Sequence, residues 1–156
     1  INVSTGATVD TNKLRQALEW LRQHPVDVIS ASFVIDTPDS AVLTCTRALI
    51  DQGTCIVGAA ANTTKRQQYA WVRQIPGAVR VFADKVPETE LTRSAAHVIA
   101  APGTDLRVVG TDGEVVSNWR GQSSGATAII AGLAARWLSD GMEQHDVHQR
   151  LLKQFR

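Results

Sequence analysis

Gly121-Gln-Ser-Ser-Gly-Ala-Thr-Ala-Ile-Ile-Ala-Gly-Leu-Ala-Ala135 is the stretch from which the fold of this chain can be read. A polar, glycine-flanked pair of serines opens straight into an apolar run of small residues. Ile129, Ile130, Leu133 and Leu138 continue it at near-helical spacing. The pattern predicts a buried helix with Ser123 and Ser124 at or just before its first turn. First-turn N–H groups have no partner within a helix, and the helix dipole is positive there, so negative charge is favoured. A hydroxyl at that point is either an N-cap or a nucleophile whose developing oxyanion finds donors nearby.

Upstream of this stretch, helix and strand patterns alternate. Thr11 can cap a helix carrying Leu14, Ala17, Leu18 and Leu21, which Pro25 ends. Val26 to Ile35 is β-rich and largely apolar, as in a strand covered on both faces. Thr37-Pro38 suits a helix start, and Val42, Cys45, Thr46 and Leu49 share one side of the helix that follows. Gly53 can supply its left-handed end. Thr54 to Gly58 reads as a second buried strand, ending in Ala59-Ala60-Ala61-Asn62. Lys65 to Val72 is a polar loop or short helix, and Pro76-Gly77 is a turn. Ala78 to Ala83 and His97 to Ala100 read as strands, the latter stopped by Pro102-Gly103. Leu106 to Val109 and Glu114 to Val116 flank Thr111-Asp112-Gly113, a hairpin signal. Beyond the serine-led helix, Gly141 precedes a last amphipathic helix with Val147, Leu151, Leu152 and Phe155. The alternation implies an α/β fold, a three-layer αβα sandwich around a mainly parallel central sheet.

Composition bounds the function. The 156 residues fit one domain with a real core, and 44% apolar with 20% charged residues is ordinary for a globular chain. A formal net charge of +1 makes no electrostatic case for nucleic acid or an acidic membrane surface, and Lys65-Arg66 is too short a basic run. No segment is long and apolar enough to span a bilayer. Cys45 and Cys55 are read as small buried hydrophobes, not as a disulfide framework. No His, Cys, Asp or Glu group has metal-ligand spacing, so no metal is expected from the residues themselves. The turn around Gly121 and Gly125 lacks the lysine and spacing of a phosphate loop.

Two polar groups carry chemistry. Asn62 lies just past a predicted buried strand, at the sheet edge where α/β proteins bind ligands, and its amide can donate to an oxyanion formed beside a serine. Asn is also a common turn residue. Four segments, in order, resemble the subtilisin-like serine peptidases (subtilases). Thr54-Cys-Ile-Val-Gly-Ala-Ala-Ala-Asn62 resembles the strand ending in Ala-Ala-Gly-Asn, and Ala101-Pro-Gly103 resembles the Ala-Pro-Gly turn. Gln122 to Gly132 resembles Gly-Thr-Ser-x-Ala-x-Pro-x-x-Ala-Gly, with the register set by Ala131-Gly132. Val28-Ile-Ser-Ala-Ser32 resembles the strand that walls the substrate cleft.

The resemblance implies a serine endopeptidase core acting on a peptide or protein substrate. Ser124 would be the nucleophile, and the Ser124 N–H with the Asn62 amide would form the oxyanion hole. Ser30, Ala31, Ser32, Phe33, Gly58, Ala59, Ala60, Ala61 and Ser123 would line the substrate site, with segments Ser30–Val34 and Gly58–Ala61 pairing with an extended peptide. The family's Asp-Ser/Thr/His-Gly and His-Gly-Thr-His motifs are absent, and His24, His97, His145 and His148 have other neighbours, so structural roles are expected for them. Residues 1–156 are therefore expected to be one subtilase-like core domain lacking the N-terminal part of the fold. A separate segment or chain would bring the Asp and His. Gln122, Ala61 and Ala128 replace two family glycines and the helix proline, and Phe33-Val34 replaces Leu-Gly. The family resemblance also raises calcium, for which no site stands out, and a secreted or extracytoplasmic location. Two alternatives stay open. One is a catalytically inactive subtilase-like scaffold or protein-interaction module. The other is an α/β-hydrolase, because Gly121-Gln-Ser-Ser-Gly125 fits Gly-x-Ser-x-Gly with Ser123, Asp140 and His148 in order.

Overall fold

The structure is a computed structural model that describes residues 1–5, 8–35, 39–63, 71–84 and 97–155. Strands β1 (Ser4–Thr5) and β2 (Thr8–Val9) form a small antiparallel pair leading into helix α1 (Thr11–Gln23). The cap of α1 is Asp10, one residue before the expected Thr11. Its Oδ1 accepts from the N–H groups of Asn12 (2.9 Å) and Lys13 (3.1 Å). A carboxylate outcompetes the adjacent hydroxyl because its charge also meets the positive helix end. Leu14, Ala17 and Leu18 bury their side chains from one face, as their spacing predicts.

Strand β3 spans Val28–Ala31, shorter than the expected Val26 to Ile35. Neither is it covered on both faces: Ser30 is exposed, and Val28 and Ile29 are half-buried. Among the described residues it forms one edge of the sheet, and residues 32–35 leave it. Helix α2 (Ser40–Asp51) is capped by Asp39, whose Oδ1 accepts from Val42 N–H at 2.7 Å. The expected start at Thr37-Pro38 falls outside the described residues. Val42, Cys45, Thr46 and Leu49 are buried together as expected, and Gly53 (φ 99°) turns the chain out of the helix.

Strand β4 (Cys55–Ala59) follows, then a short 3₁₀ turn at Trp71–Gln74, strand β5 (Val79–Ala83) and strand β6 (Val98–Ala101). The rest of the expected Lys65 to Val72 segment, up to residue 70, lies outside the described residues. The four strands make a parallel sheet in the order β3-β4-β5-β6, with Ala31 beside Gly58, Val57 beside Val79, and Ala83 beside Ala101. Strands β4 and β5 are buried throughout, as expected of strands covered on both faces. Strand β7 (Leu106–Val109) pairs with β8 (Val115–Trp119) as the hairpin signalled by Asp112-Gly113, with Gly113 at φ 85°. Helices α3 (Gln122–Ser139) and α4 (Gln144–Phe155) complete the chain.

Two apolar cores sandwich the sheet. On one face, Leu14, Leu18, Val42, Leu49, Ile56, Trp71 and Val72 pack together. On the other, Val57, Val79, Val81 and Ile99 meet Ala126, Ile130 and Ala134 of α3 and Val147 and Leu151 of α4. Alternation along β4 sends Ile56 to the first core and Val57 to the second. The result is the expected three-layer αβα arrangement, α1 and α2 on one side and α3 and α4 on the other. Among the described residues, both cysteines are free and buried, and burial pushes the Cys55 thiol up to about 11. No described helix is long and apolar enough to cross a membrane.

Candidate active site

All the polar groups singled out at Asn62, Ser123 and Ser124 meet where β4 and β6 end and α3 begins. Helix α3 has no cap of its own: Gly121 precedes it without a side-chain hydrogen bond. Gln122 is its first residue, so Ser123 and Ser124 lie inside the first turn and neither serine acts as the cap. The orphan N–H groups are taken by distant parts of the chain. Gln122 N–H donates to the Gly103 carbonyl at 2.6 Å, and Ser123 N–H donates to Asn62 Oδ1 at 2.9 Å. Both acceptors lie just past sheet strands, β6 and β4, so the sheet itself positions the helix start.

Asn62 is exposed, and with Oδ1 engaged by Ser123 its Nδ2 donors are the end turned elsewhere. The N–H of Ser124 makes no hydrogen bond among the described residues. Two sets of donors, one amide and one backbone, thus stand at a positive helix end.

Ser124 and Ser32 bond reciprocally. Ser124 Oγ donates to the Ser32 carbonyl at 3.3 Å, and Ser32 Oγ donates to the Ser124 carbonyl at 3.2 Å. This explains the early end of β3, since the Ser32 carbonyl faces α3 and not a neighbouring strand. Next in the chain, half-buried Phe33 stacks flat on Trp71, with ring centroids 5.7 Å apart and planes 6° apart. Trp71 is only 1% exposed, so the wall beside Ser124 rests directly on the core.

Two backbone positions around the site are strained. Ala61 (φ 79°) and Gln122 (φ 49°) adopt left-handed conformations that favour glycine, at the two places where the subtilase motifs carry one. Glycine itself is needed at Gly103, where an added Cβ would run into the Gln122 backbone and the Ala83 side chain.

The remaining expected site residues divide by exposure. Ser30 and Ser32 are exposed, whereas Ala31 and Gly58 to Ala61 are buried. Ser123, expected to line the substrate site, is 1% exposed, and its hydroxyl donates inward to the Ala61 carbonyl at 2.9 Å. That placement also removes Ser123 as a hydrolase nucleophile. Its supposed partners are elsewhere: Asp140 pairs with Arg136 at 2.9 Å, and His148 contacts His97 at 2.7 Å. His24 sits at the end of α1, its Nδ1 against the Trp20 carbonyl. None of the four histidines bonds to Ser124. No group of three or more His, Cys, Asp or Glu among the described residues could hold a metal ion. Sequence reasoning missed the parts played by the Gly103 carbonyl and Trp71. The Ala-Pro-Gly turn marked the first, but nothing local marked the second.

Comparison with known proteins agrees with this architecture. The model of the subtilase family (Peptidase_S8) matches residues 1–155. No curated protein matches. Among solved structures, the chain is similar to the prenylagaramide maturation protease PagA, with 16% identity and a TM-score of 0.75 over 98% of this chain and 60% of that one. It is similar to a mutant of the protease domain of PatA (18% identity, TM-score 0.73, 96% and 59% covered) and to the PatG macrocyclase in complex with peptide (20%, 0.71, 96% and 48%). The chain therefore spans at most about 60% of the length of these structures. By a match that runs from its first residue to its last but one, and by a fold shared with these proteases, the chain belongs to the subtilase family.

Proposed function

We propose that residues 1–156 are the nucleophile-bearing core of a serine endopeptidase, cutting peptide bonds through an acyl-enzyme at Ser124 once an Asp- and His-bearing segment or chain completes it. The observation that carries this reading is the Asn62 Oδ1 to Ser123 N–H bond, because it sets a carboxamide beside the first turn that holds Ser124. Ser124 Oγ attacks the substrate carbonyl carbon as the supplied imidazole takes its proton. The tetrahedral oxyanion accepts from Asn62 Nδ2 and Ser124 N–H. On collapse the C–N bond breaks, and the amine leaves with the proton returned by the imidazole. Water, deprotonated by the same group, then hydrolyses the ester. Family membership supports peptide substrates, as does the peptide bound to the PatG macrocyclase. An extended substrate would lie against Ser30–Phe33 and the backbone of Gly58–Ala61. The completing segment has a natural seat along β3, an edge strand in the described sheet with Val28 and Ile29 half-buried. A strand added there would satisfy that edge.

A second reading, an inactive scaffold or interaction module, is favoured by one observation: the Ser124 hydroxyl donates to a carbonyl, and no described imidazole reaches it. Without a base the hydroxyl stays protonated and is a weak nucleophile. Fluorophosphonate labelling tests both. Labelling at Ser124, dependent on adding the completing segment and lost in Ser124→Ala, supports the peptidase. No labelling in the completed assembly supports the scaffold.

A further inference from the structure

We propose that the His97–His148 contact is a pH-sensitive clasp that holds helix α4 to the start of strand β6. His97 Nδ1 and His148 Nε2 are 2.7 Å apart, with the rings edge-to-face at 4.8 Å between centroids. Both residues are half-buried. His97 stands immediately before β6 at φ 64°, and its carbonyl accepts from Arg80 N–H of β5 at 2.9 Å, so its backbone is tied to the sheet. His148 comes from α4, which is anchored by buried Val147 and Leu151 and packs on β6 and α3. One proton between two ring nitrogens makes a hydrogen bond. A hydrogen bond of this kind needs one unprotonated nitrogen, so it survives with the pair neutral or singly charged. A second proton removes the acceptor and sets two cations against each other.

Among the described residues, the charges that act on His148 add to that repulsion. His145, on the same helix, adds to it, and Asp146 and Arg150 are the other charged residues near His148 in that helix. From α3, the facing side chains are apolar, and its Arg136 and Asp140 pair with each other at the surface. Residues 85–96, ahead of His97, lie outside the described residues. Burial, then His97 and His145, hold the His148 imidazole below its usual range. The unfolded chain therefore binds more protons than the folded one over that window. The clasp contributes fully above the usual imidazole range and is lost as pH falls through it. Because α4 also supports α3, its release would loosen the outer side of the helix that carries Ser124. The clasp itself is independent of any catalytic role for that serine.

Amide hydrogen exchange on the full chain, corrected for intrinsic rates, tests this at pH 7.5 and 5.0. Protection in residues 144–155 is expected to fall by about tenfold relative to α2 in the wild type between those two pH values. His148→Gln, which keeps a hydrogen-bonding group but takes up no proton, should abolish that difference. Equal pH dependence in α2 and α4 of the wild type, or an unchanged drop in His148→Gln, would overturn the clasp. Should His148→Gln fail to fold, imidazole NMR titration of the wild type decides. Two coupled steps for the pair are expected. Independent single-step behaviour of the two contacting rings would refute it.

Discussion

Asn62 and Ser123 are 61 residues apart in the chain, yet the Asn62 side-chain oxygen caps the Ser123 N–H at 2.9 Å. One side chain thereby ties the end of β4 to the start of α3. The same carboxamide has two ends with separable duties, an acceptor for the fold and a donor for the proposed chemistry. Asn62→Ala should cost about 1 kcal/mol of stability, as loss of a helix cap does, read from the urea midpoint. Asn62→Asp keeps the acceptor and should keep most of that stability. In the completed assembly it should still lose about 10²–10³ in acylation rate, the loss known for an oxyanion donor in a subtilisin, a relative of this chain.

Ala61 holds φ 79° without a glycine's freedom. Adding a β-branched side chain there raises the steric cost, so Ala61→Val should destabilise by about 2 kcal/mol in chemical denaturation. Ala61→Gly relieves the strain but gains unfolded-state entropy, so it should fall within about 1 kcal/mol of the wild type.

Gly103 accepts the Gln122 N–H and has no room for a methyl group against the Gln122 backbone and Ala83. Gly103→Ala should lower stability by about 1–3 kcal/mol. At Gly121, the clash would be with the Trp119 ring, a 42% exposed side chain that can move aside. Gly121→Ala should therefore cost less, and equal urea midpoints for the two variants would contradict this ranking.

Burial raises the Cys55 thiol from 9.0 to about 11. The unfolded chain gives up this proton first, so the stabilising difference is complete below pH 9 and is lost as pH rises toward 11. Denaturation midpoints should fall over that interval, and Cys55→Ala should flatten the fall. Native Cys55 should also resist alkylation at pH 8.

Much of the frame was legible because local patterns and packing agree. The stripes of Leu14, Ala17 and Leu18, and of Val42, Cys45 and Leu49, bury as their spacing says. The Asp112-Gly113 turn makes its hairpin, though β8 runs on to Trp119. The start of α1 moved from Thr11 to the neighbouring carboxylate of Asp10, whose charge local spacing does not weigh. Strand β3 fell short because the Ser32 carbonyl bonds to α3, a contact across 92 positions. The serine pair was legible as a helix start, but its cap was not, since the capping groups arrive from β4 and β6. Motif order placed Asn62 near Ser124 by resemblance alone; no periodicity carries that information.

The flat stack of Phe33 on Trp71 also gives the proposed substrate site an optical voice. Trp71 is sealed in an apolar setting, Trp137 is half-buried, and Trp20 and Trp119 face solvent, so Trp71 emission should be the bluest component of the spectrum. A ligand that lifts Phe33 away would admit water to one indole alone. Binding at the proposed site could then be followed by colour, with no label attached.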